Sequence, residues 1–368
     1  MSQSRKKIQL KIPFLIVRHK LKFKKAPMVA FLEATQKCNM DCVYCSSDAG
    51  VSLENELSME QIKVLIKDFK KLGVTIFNII GGEPLLRKEI REVVKFGAEN
   101  GMMTNILTNA TLLDSNMAGE LKDNGLSLFS ISLDGSNEAI NSFTRGNGSF
   151  EKILKGIDCA VATGLPVLVK ITLHKNNTQD IENTLRLLIE KKVSFWTADF
   201  AIPCGRERKM NSAQSFSPQE KLKIIENIYD LAHIYRDRIK FFTIDKIYYN
   251  VYSFKKEKPG LLKRLISYTK GGCGVLDGNS VYVNSDGSVR PCPFFPFVLP
   301  DLNIKKDSIV DIYKNNKHLK ALRNRNNLKG KCLNCKFSRI CGGCRAKIYA
   351  QTGDFFAEDA ACILFESV

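Results

Sequence analysis

The sequence predicts an α/β protein in which a parallel sheet, folded as a partial barrel or as a doubly wound sheet, precedes a small cysteine-rich module. From residue 28 onward, apolar strand-like runs alternate with amphipathic helical patterns through six βα units. The runs are apolar almost throughout, which is typical of parallel strands buried on both faces. After residue 270 the pattern changes to short strands and loops dense in cysteine. With 368 residues, 44% of them hydrophobic, the chain is long enough for two such domains.

The strands and the first helix have recognisable sequence signals. The six strand-like runs are VAFLEAT, TIFNII, TNILT, LFSIS, VLVKITL and SFWTADF. In the first helix, Ser58 and Gln61 have the spacing of a capping box, and Gly73 follows the last apolar position. We expect its apolar stripe to pack on the sheet through Ile62, Leu65, Phe69 and Leu72. Right-handed crossovers bring the carboxyl ends of such strands to one rim, where ligands bind.

Composition divides the chain into a basic arm, a larger domain, a basic helical bridge and a cysteine-rich module, at residues 1–27, 28–215, 216–270 and 271–368. The bridge follows the polar stretch NSAQSFSP, and Ser217, Pro218 and Glu220 have the order of a cap, a first-turn proline and a capping-box partner. In the last segment, NSDG predicts a hairpin turn between VYV and SVRP.

The net charge is +18, and half of it lies in the arm, which has nine Lys or Arg and no Asp or Glu. Such a basic, partly apolar segment suits an acidic peptide, an anionic small molecule, a membrane surface or RNA. A solvated helix that covers one side of the barrel explains the same pattern.

Cysteine usage indicates a cytoplasmic protein that binds metal. No run approaches the roughly 18 apolar residues of a membrane span, and PFLIV is too short and too close to Arg18 for a signal peptide. Twelve cysteines in a reducing compartment are better suited to metal ligation or catalysis than to disulfides. Ten of them fall in tight, patterned groups.

The first group, CNMDCVYC, places Cys38, Cys42 and Cys45 on one loop after the first strand. Three thiolates at this spacing suit a cubane iron–sulfur cluster that keeps one iron free of protein, whereas a structural zinc site takes a fourth protein ligand. No histidine lies nearby to complete a zinc shell, since the four are scattered singly at His19, His174, His233 and His318.

This CxxxCxxC motif after the first strand resembles the signature of the radical S-adenosylmethionine (SAM) enzymes, whose fold is a partial barrel. The resemblance implies a [4Fe-4S] cluster whose open iron is chelated by the amino and carboxylate groups of SAM. In that family, one electron cleaves SAM to a 5′-deoxyadenosyl radical, which abstracts a substrate hydrogen. A one-electron donor such as ferredoxin or flavodoxin is implied as a partner.

The resemblance extends to the strand ends that hold SAM. Gly81, Gly82, Glu83 and Pro84 match the GGEP segment that holds the methionine amino group. Less specific matches for SAM binding are the asparagine of TNA, where the family usually has TNG, two residues of SLDG, and an arginine suited to the SAM carboxylate: Asn109, Ser132, Asp134 and Arg145. Turn formation or surface solvation explains these four equally well.

The second module resembles the SPASM extension of the family, since Gly287 stands five residues before Cys292 and a CLNCKFSRICGGC block follows. The resemblance implies two auxiliary [4Fe-4S] clusters. One takes Cys273, Cys292 and Cys344, and the other takes Cys332, Cys335, Cys341 and Cys362. The spacing between Cys341 and Cys344 departs from the family pattern by one residue.

Seven cysteines cannot fill two four-cysteine sites, which leaves one iron to water, to a non-cysteine ligand such as Asp277, or to the substrate. The other two cysteines, Cys159 and Cys204, are interpreted as packing residues, although Cys204 follows the sixth strand near the predicted rim, where a substrate contact is the alternative. A zinc ribbon is the other interpretation of the block, but seven thiols exceed one tetrahedral shell.

The sequence therefore predicts a radical SAM enzyme with auxiliary clusters as an electron relay, acting on a ribosomal peptide or a peptide-derived product. Tetrapyrrole side-chain modification of the haem or haem-d1 type is the alternative, because PCPF and GGCRAKIYAQTGDFFAEDAAC resemble that branch. The rival from another class is a zinc-dependent RNA-binding protein. For the enzyme we expect a peptide or anionic small-molecule substrate, and neither a nucleic acid partner nor an integral membrane segment.

Overall fold

The structure, a computed structural model, describes residues 26–209, 216–242, 248–257, 272–295, 302–360 and 362–363. The basic arm predicted for residues 1–27 lies outside the described residues except for its last two. In the described part of the chain, no helix is both long enough and apolar enough to span a membrane.

One nine-stranded sheet runs through both predicted domains. Its strands in chain order are β1 to β9, at Val29–Glu33, Ile76–Ile80, Met103–Thr108, Leu126–Ser132, Val167–Leu173, Phe195–Phe200, Lys240–Phe241, Ser280–Val283 and Val289–Arg290. In space the order is β7-β6-β5-β4-β3-β2-β1-β8-β9. All pairs are parallel except the hairpin β8-β9. The consecutive parallel strands β1 to β6 confirm the predicted (β/α)6 arrangement.

Helices connect these strands and cover one face of the sheet. In chain order α1 to α7 are Met59–Leu72, Ile90–Glu99, Ser115–Asp123, Glu138–Arg145, Phe150–Ala162, Ile181–Glu190 and Pro218–Ile234. The other helices within the described residues, α8 to α13, are Tyr248–Glu257, Gly274–Asp277, Ile309–Asn315, Lys317–Leu322, Gly330–Leu333 and Arg345–Thr352. The capping boxes predicted for α1 and α7 are both present, at Ser58 with Gln61 and at Ser217 with Glu220.

The two faces of the sheet differ in polarity. On the helix-covered face, α2 approaches so closely that a Cβ at Gly97 would collide with Phe77 and Thr104. On the opposite face, the Asn105 amide donates to Asn78 at 2.8 Å, and the Ser130 hydroxyl donates to Asn105 at 3.0 Å. Because strand side chains alternate between faces, this buried polar row lies on the inner face of the barrel.

The second module is joined to the barrel through β1. Strand β8 pairs in parallel with β1, so that Val29 lies opposite Ser280 and Leu32 opposite Val283. The buried Glu33 carboxylate, at the end of β1, accepts a hydrogen bond from Tyr282 Oη at 2.8 Å and another from Ser285 Oγ at 3.0 Å. At the opposite edge, β7 from the predicted bridge pairs with β6. The sheet therefore continues across both predicted domain boundaries.

Candidate cluster and nucleotide site

The first three cysteines lie half-buried on the loop that follows β1. The Cys38 amide donates to the Gly50 carbonyl at 2.8 Å, and the Cys45 amide donates to the Cys42 carbonyl at 3.2 Å, so the loop closes on itself. Burial raises the pKa of the Cys38 thiol, and burial raises that of Cys42 to about 11 against an opposing effect of Arg145. Thiolates at these positions need a strong local positive charge, which a bound iron–sulfur cluster provides.

A turn after β6 clamps this cysteine loop. Arg206 donates from Nε to the Cys42 carbonyl at 2.8 Å and from a terminal nitrogen to the Ala49 carbonyl at 2.7 Å. Its amide donates to the Cys45 carbonyl at 3.0 Å. Gly205 has a φ of 56°, and a Cβ at this position would clash with the carbonyl oxygens of Cys45 and Ser46. The strand end thus holds the loop by charge-assisted hydrogen bonds and by a contact that requires glycine.

The GGEP segment lies directly against the residues that lead into the loop. The Gly82 amide donates to the Thr35 carbonyl at 2.7 Å, and the Glu83 amide donates to the Lys37 carbonyl at 2.8 Å. A Cβ at Gly82 would overlap the Lys37 carbonyl. The second glycine is therefore required by the close approach of two backbones.

Glu83 is fully buried and held by three donors. Its Oε1 accepts hydrogen bonds from Thr108 Oγ1 at 2.6 Å and from the main-chain amide of Leu85 at 3.1 Å. Its Oε2 accepts one from the main-chain amide of Asn109 at 2.8 Å. Burial raises the pKa of Glu83 to about 7, although these hydrogen bonds lower it. A carboxylate has room for about four hydrogen bonds, so Oε2 keeps acceptor capacity for an ammonium group.

Asn109 connects GGEP to the cysteine loop. Its side-chain Nδ2 donates a hydrogen bond to Asn39 Oδ1 at 2.9 Å, and its Oδ1 accepts one from the main-chain amide of Thr111 at 3.0 Å. The next residue, Ala110, has a φ of 59°, a left-handed conformation that favours glycine. The glycine of the family's TNG pattern would sit at this position without strain.

Asp134 and Arg145 form a buried ion pair beneath the loop. Arg145 Nε lies 2.7 Å from Asp134 Oδ2, which also accepts from Thr144 Oγ1 at 3.0 Å and from the Tyr44 hydroxyl. The Thr172 amide donates to Asp134 Oδ1 at 2.8 Å. Both oxygens are thus engaged, and this geometry favours a positioning role for Asp134. Ser132, the third residue predicted here, ends β4 on the inner face.

Four cysteines of the second module line one pocket: Cys332, Cys335, Cys341 and Cys362. Asp359 also lines it and accepts from Lys347 Nζ at 2.9 Å. Burial raises the pKa of Cys341, and so do Cys362, Asp359 and Cys332 nearby. The pocket brings together the same four thiols that the SPASM resemblance groups on one cluster, so these residues fit a four-cysteine cubane.

The other three cysteines of the module also lie together. Cys273 and Cys344 are near enough to Cys292 to raise its pKa, in addition to its burial. The Cys273 amide donates to the Cys341 carbonyl at 3.0 Å, which places the two sets side by side. Among the described residues, no three His, Cys, Asp or Glu side chains converge closely enough to hold a single metal ion.

Sequence reasoning missed Arg206 and Lys170. Arg206 is recognisable only once the turn after β6 is seen against the cysteine loop. The sequence did carry a signal for Lys170, because it is the one charged residue in the apolar run VLVKITL. It pairs in register with Ser132 on β4 and with Thr197 on β6, so it lies on the inner face.

Comparisons with known proteins agree with this geometry. The Radical SAM superfamily model matches residues 32–188, and the SPASM model, described as an iron–sulfur cluster-binding domain, matches residues 273–336. The chain is 30% identical to the AdoMet-dependent heme synthase of Methanosarcina barkeri, over 92% of this chain and 97% of that protein. It is 27% identical to the PqqA peptide cyclase of Bradyrhizobium diazoefficiens, over 92% and 86%.

Among solved structures, the fold resembles Streptococcus suis SuiB bound to its precursor peptide SuiA, with a TM-score of 0.77 and 18% identity over 94% of this chain and 79% of SuiB. The family models and the full-length relatives account for both the barrel and the cysteine-rich module. The chain is therefore an enzyme of the radical SAM superfamily with a C-terminal SPASM domain.

Proposed function

We propose that this enzyme oxidises a side chain of an anionic tetrapyrrole. The observation that carries the proposal is Lys170, a partly buried cation on the inner face of the barrel. Burial lowers the pKa of Lys170, and Arg145 lowers it further, whereas Asp199 raises it. Among the described residues, none forms a hydrogen bond or an ion pair with its ammonium group. A buried ammonium is costly without a partner, and a substrate carboxylate supplies one.

Glu83 and Asn109, which are predicted to bind SAM, follow the carboxyl ends of β2 and β3 in the same parallel sheet that carries Lys170. Glu83 would hold the methionine ammonium, while Gly82 lets the backbone approach it. Cys38, Cys42 and Cys45 would hold the [4Fe-4S] cluster, and Arg206 fixes their loop. When bound, the cluster and SAM supply the 5′-deoxyadenosyl radical that removes a hydrogen atom from the substrate.

The two auxiliary sites supply the electron sink that an oxidation requires. A cluster held at either auxiliary site would accept one electron from the substrate radical that remains after loss of one hydrogen atom. The resulting cation would then release a proton or CO2, which completes a two-electron oxidation, while SAM takes up that hydrogen atom and one electron from the donor to give methionine and 5′-deoxyadenosine. The donor that reduces the SAM cluster would be a ferredoxin or flavodoxin. Oxygen-sensitive clusters and a chain with twelve cysteines fit the reducing cytoplasm.

The full-length relative named as a heme synthase supports a tetrapyrrole, whose propionate groups complement Lys170. A ribosomal peptide or a peptide-derived product is the second candidate. It is supported by the relative named as a peptide cyclase and by SuiB, a protein of similar fold that is bound to a precursor peptide.

The test is anaerobic turnover of the reconstituted protein with dithionite and SAM, in the presence of either an iron tetrapyrrole bearing propionates or a candidate precursor peptide. The expected result is 5′-deoxyadenosine formed in proportion to a mass change of the tetrapyrrole. A mass change only in the peptide would favour the second candidate. SAM cleavage that never responds to the tetrapyrrole would refute the proposed substrate class.

A further inference from the structure

Arg345 is a cation buried in the second module. It opens α13 directly after Cys344, and the residue is fully buried. Its Nη1 donates to the carbonyls of Phe355 and Ala357, at 3.0 Å each, whereas its Nη2 is buried and has no hydrogen-bond partner. Two carbonyl dipoles are weaker partners for a guanidinium group than a carboxylate is. A buried cation without a counter-charge is costly, so the surroundings of Arg345 call for an anion.

The carboxylates on the segment that Arg345 contacts have other partners. Asp354 accepts from Lys329 Nζ at 2.7 Å, and Glu358 accepts from the main-chain amide of Lys331 at 2.7 Å. Among the residues that the structure describes, no carboxylate forms an ion pair with the Arg345 guanidinium. Within this part of the chain, its charge is therefore not compensated by an acidic side chain.

The guanidinium lies against the wall of the four-cysteine pocket. That wall includes Gly343, whose amide donates to Cys341 Sγ at 3.3 Å. A Cβ at Gly343 would lie only 2.5 Å from Arg345 Nη2. One glycine therefore contacts both the unpartnered nitrogen of Arg345 and a thiol of the pocket.

A second cation on α13 shows what distinguishes Arg345. Lys347 donates to Asp359 at 2.9 Å, and the two side chains are 10% and 2% exposed. This pair is neutral as a whole, and Asp359 is the carboxylate that lines the pocket. Four thiolates on a doubly positive [4Fe-4S] core leave two negative charges, and reduction by one electron adds a third. A cluster in the pocket would thus supply the anion that Arg345 lacks.

We propose that Arg345 is the counter-ion of the cluster in the four-cysteine pocket and raises its reduction potential. The inference rests on the proposed auxiliary cluster at this site and extends it. Because reduction adds negative charge, a buried cation nearby stabilises the reduced form more than the oxidised form. A higher potential makes this site a better acceptor for the electron that leaves the substrate. Arg345 acts on the reaction only through that potential.

The experiment uses the full chain in a background without the SAM cluster: Cys38→Ala, Cys42→Ala and Cys45→Ala. After anaerobic reconstitution, a redox titration followed by electron paramagnetic resonance measures the midpoint potential of each auxiliary cluster. The signal that changes on Cys335→Ala belongs to the four-cysteine site. Arg345→Met should lower the potential of this signal by at least about 59 mV, which is a tenfold smaller equilibrium constant for one-electron reduction.

Two variants separate the charge of Arg345 from its packing. Arg345→Lys keeps the charge but gives up the forked contact with two carbonyls, so its potential should stay close to that of the background protein. Arg87→Met is the matched control, because Arg87 is also a buried arginine that donates to two carbonyls, those of Ala34 and Leu57 in the barrel. It should leave the potential unchanged. Iron content and circular dichroism report loading and folding, and Arg345→Gln replaces the methionine variant if that variant does not fold.

An unchanged potential in the folded, iron-loaded neutral variant would overturn the proposal. An equal fall in the neutral and lysine variants would also overturn it, because the residue would then act by packing and not by charge. Failure of the folded background protein to hold iron at the four cysteines would refute the auxiliary cluster itself, and the counter-ion with it. The first two results would leave that cluster standing, so the two failures are distinguishable.

Discussion

Replacing Glu83 by glutamine should remove the pH dependence of SAM binding. Burial raises the pKa of this carboxyl to about 7, so a substantial share of the free protein is protonated near neutral pH. The ammonium of SAM binds the ionised form, because a neutral carboxyl offers no charge to it. Binding must therefore expel the proton wherever the pH lies below this pKa.

The magnitude follows from the ionised fraction. With a pKa of about 7, the carboxylate is about 3% ionised at pH 5.5 and about half ionised at pH 7.0. The dissociation constant for SAM should thus fall roughly 16-fold across this interval, equivalent to about 1.6 kcal/mol. The α-amino group of a free amino acid titrates above the interval, so SAM itself contributes little to the slope.

Isothermal titration of the reconstituted, unreduced enzyme with SAM measures this effect at several pH values. At pH 7.0, two buffers with different ionisation enthalpies should reveal release of about half a proton by the wild-type protein. Glu83→Gln keeps the shape of the side chain and should bind SAM weakly, with a flat profile and no proton release. An identical slope in both proteins would show that another group titrates, and the reasoning would fail.

Three further changes test the remaining parts of the site. Gly82→Ala should weaken SAM binding by about tenfold or more, because the new methyl group meets a backbone carbonyl, whereas Gly119→Ala, with open space around it, should leave the affinity unchanged in the same titration. Arg206→Gln should release the SAM-cluster irons to a chelator at least about tenfold faster, since two charge-assisted hydrogen bonds of roughly 1.5–3 kcal/mol each are lost; equal release rates would contradict the clamp. Lys170→Met should raise the KM for a carboxylate-bearing substrate and raise the melting temperature, because a partly desolvated charge is removed; an unchanged KM would contradict its contact with substrate.

Local signals made the barrel predictable. The capping box at Ser58 and the left-handed Gly73, with a φ of 83°, define α1 from a few neighbouring residues, and the NSDG turn gives the β8-β9 hairpin in the same way. The pairing of β8 with β1 could not be predicted, because it joins segments about 250 residues apart and neither carries a local sign of its partner. The edge strand β7 is only two residues long and has no distinct pattern.

For the candidate site, motif spacing located the residues but not their contacts. Cys38, Cys42 and Cys45 share one loop, as the spacing predicts. SLDG gave no sign that Asp134 would be enclosed, since its partners come from Tyr44 on the cysteine loop, from α4 and from β5. The role of Arg206 depends on a turn more than 150 residues downstream of the loop it holds. Such contacts are set by the tertiary fold, which spacing does not encode.

The parallel ladder between β1 and β8 has a consequence for charge transfer. Hydrogen bonds of a sheet resist shear, so the cysteine loop after β1 and the hairpin that leads to Cys292 move as one piece. Tunnelling between redox centres falls off steeply with separation, and this shared ladder would keep the separation constant between clusters held at the two sites. We therefore expect the reaction to be gated by arrival of the substrate, because the β1-β8 ladder leaves no hinge between the two lobes in the part of the chain that the structure describes.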